Sequence, residues 1–141
     1  MSLEENKTLV HRFWQSANEG NIDVIEQMTT PDFIYHDTQG DMSRDDWKQY
    51  EEMVLAAFPG IHLTIEDIIV EGDKVVTRAT ITGTHKGEFR GIAPTGKTVT
   101  ITAIYIFRIT GGKFAESWVV SDRLDLMQQL GVMPPPRQSA T

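Results

Sequence analysis

The apolar residues of this chain change their period at one place. Before Pro59-Gly60 they recur at helical spacing, and after it Ile61, Leu63 and Ile65 alternate with His62, Thr64 and Glu66. A 3.6-residue period buries one stripe of a helix, and a two-residue period buries one face of a strand. The chain therefore reads as helices first and sheet second. That order predicts an α+β domain with helices covering one side of a long antiparallel sheet.

The helical half divides into three. Val10, Phe13, Trp14 and Ala17 form the stripe of a first helix, which Asn18-Glu19-Gly20 stops. Asn21 is placed to cap a second, short helix carrying Ile22, Ile25 and Met28, and Pro31 prevents its continuation. An extended segment from Asp32 to Asp37 follows. Ser43 and Asp46 resemble a capping box ahead of a third helix with Trp47, Tyr50, Val54 and Phe58 on its stripe. In the second half, Gly72-Asp73 and Gly111-Gly112 are two-residue hairpin turns that join four long strands into two hairpins. Gly87 to Gly96, with three glycines and Pro94, is a loop at one end of the sheet, and Leu124 to Leu130 is a closing helix stopped by Gly131. Residues 1–133 form one domain and 134–141, proline-rich and polar, a flexible tail.

On the third long strand Val99, Ile101, Ala103, Tyr105, Phe107 and Ile109 share one face, while Thr98, Thr100 and Thr102 begin the other, which turns apolar at Ile104 and Ile106. A face of that mixed kind suits partial cover by a second copy, so a homodimer is expected.

The chain has 141 residues, a net charge of -7 and no cysteine. The acidic balance argues against nucleic acid and membrane surfaces as partners. The lack of thiols excludes disulfides, thiolate metal sites and cysteine nucleophiles. His11, His36, His62 and His85 show no metal-ligand spacing, so no metal site is expected. The polar stretch Met1 to Lys7 has no signal-peptide character, and cytoplasmic location is the expectation.

Specific words then give a family likeness: Asn18-Glu19-Gly20-Asn21, Pro31-Asp32-Phe33-Ile34-Tyr35-His36-Asp37, Gly83-Thr84-His85-Lys86-Gly87-Glu88-Phe89, Pro94-Thr95-Gly96 and Gln128-Gln129-Leu130-Gly131. In order and content the chain resembles the SnoaL-like polyketide cyclases, also called predicted ester cyclases, within the ketosteroid isomerase and nuclear transport factor superfamily. The resemblance covers roughly Glu5 to Val132. It implies a cone-shaped curved antiparallel sheet with N-terminal helices on its concave face. It also implies an enclosed pocket for a small hydrophobic carbonyl compound, a dimer, and no metal or organic cofactor. The implied chemistry is acid-base: a base removes a proton beside a carbonyl and a donor holds the enolate oxygen.

Carried over residue by residue, the resemblance sets Val119 where anthracycline ring cyclases have their acid/base aspartate, Tyr105 where they have a histidine and Tyr35 where they have an asparagine. Against the ketosteroid isomerases, Asp37 matches the general base, Phe13 the tyrosine donor and Tyr105 the oxyanion-binding aspartic acid. The catalytic candidates are thus Asp37, Tyr105, His36 and Asp122. The pocket wall is expected to comprise Phe13, Trp14, Phe33, Tyr35, Trp47, Tyr50, His85, Phe89, Ala103, Phe107 and Val119. Several of these have a plain structural alternative. Asp37 also suits a turn before Thr38-Gln39-Gly40, His36 points opposite to Tyr35 and Asp37, His85 suits a loop anchor, and Asp122 suits a helix cap. A noncatalytic domain that binds a hydrophobic metabolite is the second function these residues allow, marked by an apolar cavity in which Asp37 is exposed or salt-bridged.

Overall fold

The computed structural model describes residues 2–134. Most of the tail expected to be flexible, from residue 135 on, lies outside the described residues.

Helix α1 (Leu3–Asn18) begins at Ser2, whose hydroxyl accepts from the Glu5 N–H while the Glu5 carboxylate accepts from the Ser2 N–H. Helix α2 (Val24–Met28) is shorter than expected: Asp23 holds its cap position without a side-chain bond, and Asn21 instead opens the preceding turn by accepting from the Val24 N–H. Helix α3 (Arg44–Ala57) starts at Ser43, which accepts from the Asp46 N–H as the sequence indicated, and ends at Phe58 before Pro59-Gly60. Helix α4 (Arg123–Leu130) is capped by Asp122, and Gly131, at φ 83°, ends it in the left-handed conformation that glycine adopts without a Cβ clash.

The strands are β1 (Thr29–Asp37), β2 (Gly40–Ser43), β3 (His62–Glu71), β4 (Lys74–Thr84), β5 (Thr98–Thr110) and β6 (Lys113–Ser121). They form one curved six-stranded sheet in the order β2-β1-β6-β5-β4-β3. The two hairpins close where Gly72-Asp73 and Gly111-Gly112 were placed, with Glu71 opposite Lys74 and Thr110 opposite Lys113.

Two features correct the reading of the sequence. Strand β2, only four residues long and mostly exposed, gives no periodic signal, yet it pairs with β1. Strand β1 is not an isolated extended segment but joins the sheet parallel to β6, with Tyr35 opposite Ser117 and Asp37 opposite Val119. The sheet is therefore mixed. A pairing across some eighty residues leaves no trace in local periodicity.

The alternation of β5 is realised as read. Val99, Ala103, Tyr105, Phe107 and Ile109 are buried on the concave face. On the convex face Thr98 and Thr100 pair their hydroxyls with Thr84 and Thr82. Helices α1 and α3 lie over the concave side, and an aromatic cluster fixes them there. Phe13 packs edge-on against Phe114 at 5.2 Å, and Trp47 stacks on Phe33 at 5.1 Å and on Tyr35 at 4.7 Å. A second cluster, Phe58, Phe89, Val99, Leu126 and Leu130, seals the end where the 87–96 loop docks. There the N–H groups of Lys86 and Gly87 both donate to the Ala57 carbonyl, at 2.9 and 3.0 Å.

Candidate functional site

Between the helices and the concave face lies a cavity of about 150 Å³, open at one side. Its walls are mostly apolar: Ala17 and Ile22 from the N-terminal helical region, Val54 and Leu55 from α3, Leu63 and Ile81 from the sheet, and Leu126 and Met127 from α4. Into this lining project polar groups, among them Tyr35 and Asp37 from β1, Tyr50 and Glu51 from α3, Arg90 from the loop, Tyr105 from β5 and Arg123 from α4.

Glu51 is the group the surroundings alter most usefully. Its carboxyl faces the apolar interior and accepts a single hydrogen bond, from the Trp47 indole N–H at 3.0 Å. Burial pushes its pKa up to about 7, only partly opposed by that bond. A carboxyl at that value exchanges its proton near neutrality, as a general acid-base group must. The Tyr35 and Tyr105 phenols are both raised well above their ordinary value, chiefly by burial and further by the negative charge of Glu51 and Asp37. They stay protonated through the physiological range and can only donate or accept hydrogen bonds.

Asp37 is differently placed. Its carboxylate pairs with the Arg123 guanidinium and also accepts from the Gln39 N–H at 3.2 Å and the Thr38 hydroxyl at 3.3 Å. Both the turn role and the pocket position foreseen for it are real: it ends β1, and it lines the cavity as a bound anion.

The family model of the SnoaL-like polyketide cyclases matches residues 8–130. The chain belongs to that family. Solved structures agree. AclR of Streptomyces galilaeus, a candidate hydroxylase, is 32% identical with a TM-score of 0.89, over 94% of this chain and all of that one. A candidate SnoaL-like polyketide cyclase of Jannaschia is 26% identical with a TM-score of 0.84, over 93% and 94% of the two chains. IdmH of Streptomyces antibioticus, a candidate polyketide cyclase, is 28% identical with a TM-score of 0.79, over 90% and 99%. Comparison with curated proteins returns no match.

In this SnoaL-like chain the structure gathers part of the expected site and disperses the rest. Trp14, Tyr35, Asp37, Tyr50, Phe89, Tyr105 and Val119 line the cavity. Phe13, Phe33, Trp47, Ala103 and Phe107 are buried in the packed layer beneath it and act as core. His85 is wholly buried away from the cavity lining. Its ring stacks on Phe58 at 5.2 Å, and its Nδ1 accepts from the Thr95 N–H at 3.2 Å, so it anchors the loop. Asp122 accepts from the Asp125 N–H at 3.0 Å as the α4 cap.

His36 points to the convex face. There its ring stacks on Trp118, with Nδ1 2.8 Å from Asp41 and Nε2 2.6 Å from Glu116, while Glu116 also accepts from Arg108. Its pKa is raised, first by the Glu116 bond and then by Asp41, and that of Glu116 is lowered, mainly by His36. The sign follows from linkage. The raised histidine stabilises the fold fully below its unfolded value of roughly 6.5 and loses that effect as pH rises through the folded pKa; the lowered glutamate stabilises above roughly 4.5 and loses its effect as pH falls through its own. Thermal melts are therefore expected to show a contribution that is greatest between those limits and declines on either side, at high pH as His36 loses its proton and at low pH as Glu116 gains one, and His36→Gln should remove it.

Three groups escaped the sequence reading. Glu51 left a signal: it lies four residues after Trp47 and three before Val54, an acid set into the apolar stripe of α3. Arg123 and Arg90 left none, because their contacts with Asp37 and Gln39 span 86 and 51 residues. Among the described residues no three histidine or acidic side chains gather as a metal ion would need. No helix among them is long and apolar enough to cross a membrane.

Proposed function

We propose that this protein is a cyclase- or isomerase-type enzyme that moves a proton beside the carbonyl of a small hydrophobic, polyketide-like compound. Its proton carrier is Glu51, and Tyr105 and Tyr35 donate to the developing enolate oxygen. The observation that carries this reading is a carboxyl held near a pKa of about 7 in an apolar cavity that also contains two permanently protonated phenols. Enolate chemistry requires a base poised near the working pH and donors for the forming oxyanion, and Glu51 and the two phenols are groups of those two kinds. The role expected of Asp37 passes to Glu51, because the Asp37 carboxylate is committed to Arg123. The outward-facing Ile69, Ile104 and Val120, exposed by 63%, 45% and 61%, support a homodimer joined through the convex face.

One observation favours the noncatalytic reading: Asp37 is salt-bridged, as a mere binding cavity would have it. Deuterium uptake from heavy water into a panel of polyketide-like and steroid-like ketones, followed by proton NMR, separates the two. Enolate chemistry predicts catalysed exchange at the carbon beside the carbonyl, with the rate in Asp37→Asn kept within roughly tenfold of wild type while its melting temperature drops, since Arg123 loses its partner. Binding of the compounds without any catalysed exchange would sink the enzymatic reading.

A further inference from the structure

Four charged or acidic side chains line the cavity: Asp37, Glu51, Arg90 and Arg123. Asp37 is matched to one nitrogen of Arg123, Nη2, while the other, Nη1, is buried with no hydrogen-bond partner. Arg90 has no acidic partner at all among the described residues. Its Nη1 donates to the Gln39 side-chain carbonyl at 3.0 Å and its Nη2 lies 3.4 Å from the Tyr50 hydroxyl, both neutral acceptors. Arg90 is exposed where its loop meets the cavity, so in a chain of net charge -7 its guanidinium is a cation open to an anion arriving from solution.

The backbone supplies a second observation. Arg90 is the one non-glycine residue at positive φ among those described, at 49°, and Gly91 follows at 80°. Phe89 and Ile92 close this tight turn with reciprocal backbone bonds of 3.0 and 2.8 Å. A left-handed residue with a long side chain is held there at a cost that glycine or asparagine would avoid. The conformation seats the guanidinium 5.5 Å from the Tyr50 ring centre and 5.6 Å from that of Phe89, against the turn that ends β1, whose Gln39 it bonds. Burial raises the Tyr50 phenol, and the positive charges of Arg90 and Arg123 oppose that rise.

We propose that the ligand of this cavity carries a carboxylate, which Arg90 engages at the opening with the free Nη1 of Arg123 in support, while its apolar carbonyl-bearing body lies against the walls beyond. A guanidinium presents paired donors in a fork that fits two carboxylate oxygens, and binding there would replace the neutral partners of Arg90 with an anion. The proposal rests on the same cavity as the enolate reading, and it narrows the substrate class to keto acids over their esters and neutral ketones.

Binding equilibria test it independently of turnover. Isothermal titration calorimetry of the full chain would use 2-naphthoate and anthraquinone-2-carboxylate, each beside its methyl ester, with wild type and Arg90→Gln. The expected result is tighter binding of at least one acid than of its ester by wild type. In Arg90→Gln that acid should bind about tenfold more weakly, with the ester changed less than about threefold. Arg90→Gly, which relaxes the left-handed backbone, should show the same selective loss with a raised melting temperature. Equal affinity for acid and ester, equal loss of both in the variants, or no acid binding overturns the proposal. Exchange catalysed on neutral ketones alongside such a result would leave the enolate reading standing by itself.

Discussion

Glu51→Gln is expected to lower the rate of proton exchange by about 10²–10⁴-fold, the usual contribution of a positioned general acid-base group. Glutamine keeps the size of the side chain and an oxygen to accept from Trp47, so the cavity stays intact and only the transferable proton is lost. In wild type, exchange should rise with pH through about 7 as Glu51 ionises, and this limb should vanish in the variant. The effect on stability runs the other way. A carboxyl whose pKa is raised on folding favours the folded state below its unfolded value, and that effect is lost as pH rises through about 7. At pH 8 wild type carries a charge in an apolar cavity and the variant does not, so Glu51→Gln should melt at a higher temperature. Loss of activity together with gain of stability is the signature of a group kept for chemistry. An unchanged exchange rate would remove Glu51 from the mechanism.

Gly87→Ala is expected to destabilise the fold by about 2–3 kcal/mol, the cost of forcing an extra methyl into a packed site. A Cβ at position 87 would sit 2.5 Å from the Ala56 carbonyl oxygen and 3.2 Å from the Ala57 Cα, backbone atoms that cannot rotate aside. The Gly87 and Lys86 N–H groups both donate to the Ala57 carbonyl, so the loop cannot retreat without losing bonds at the end of α3. Because this loop carries Arg90 and Phe89, the variant should also bind apolar ligands more weakly. Urea unfolding measures the first effect and calorimetry the second. A midpoint equal to wild type would show that the loop docks less tightly than its contacts indicate.

The two residues mark where local information stops. Gly87 is one glycine of a loop legible from its composition, but its close approach to α3 depends on where a helix thirty residues earlier comes to rest. Glu51 is legible as an oddity, an acid on an apolar stripe, but whether it faces water or a cavity depends on the sheet opposite.

Much else was local and therefore readable. The switch of period at Pro59-Gly60, the caps at Ser43 and Asp122, the turns at Gly72-Asp73 and Gly111-Gly112, and the shared face of Phe33, Tyr35 and Asp37 all follow from neighbours within a few residues. Of the residues expected in the pocket wall or site, Tyr35, Asp37, Tyr105 and Val119 line the cavity from strands, where alternation fixes which side chains point inward. Local pattern did not distinguish Phe13, Phe33, Trp47, Ala103 and Phe107, which fill the core, from the cavity lining, since both environments are apolar and only the three-dimensional spacing of α1 and α3 over the sheet leaves a space above one set and none above the other. The same holds for charge. By itself the sequence determined the helices, the hairpins and the inward face of each long strand, because those depend on dihedral preference and period. The tertiary structure alone decided the parallel union of β1 with β6, the engagement of Asp37 by Arg123 and the isolation of Glu51, because each joins residues whose meeting requires the whole sheet to have curled.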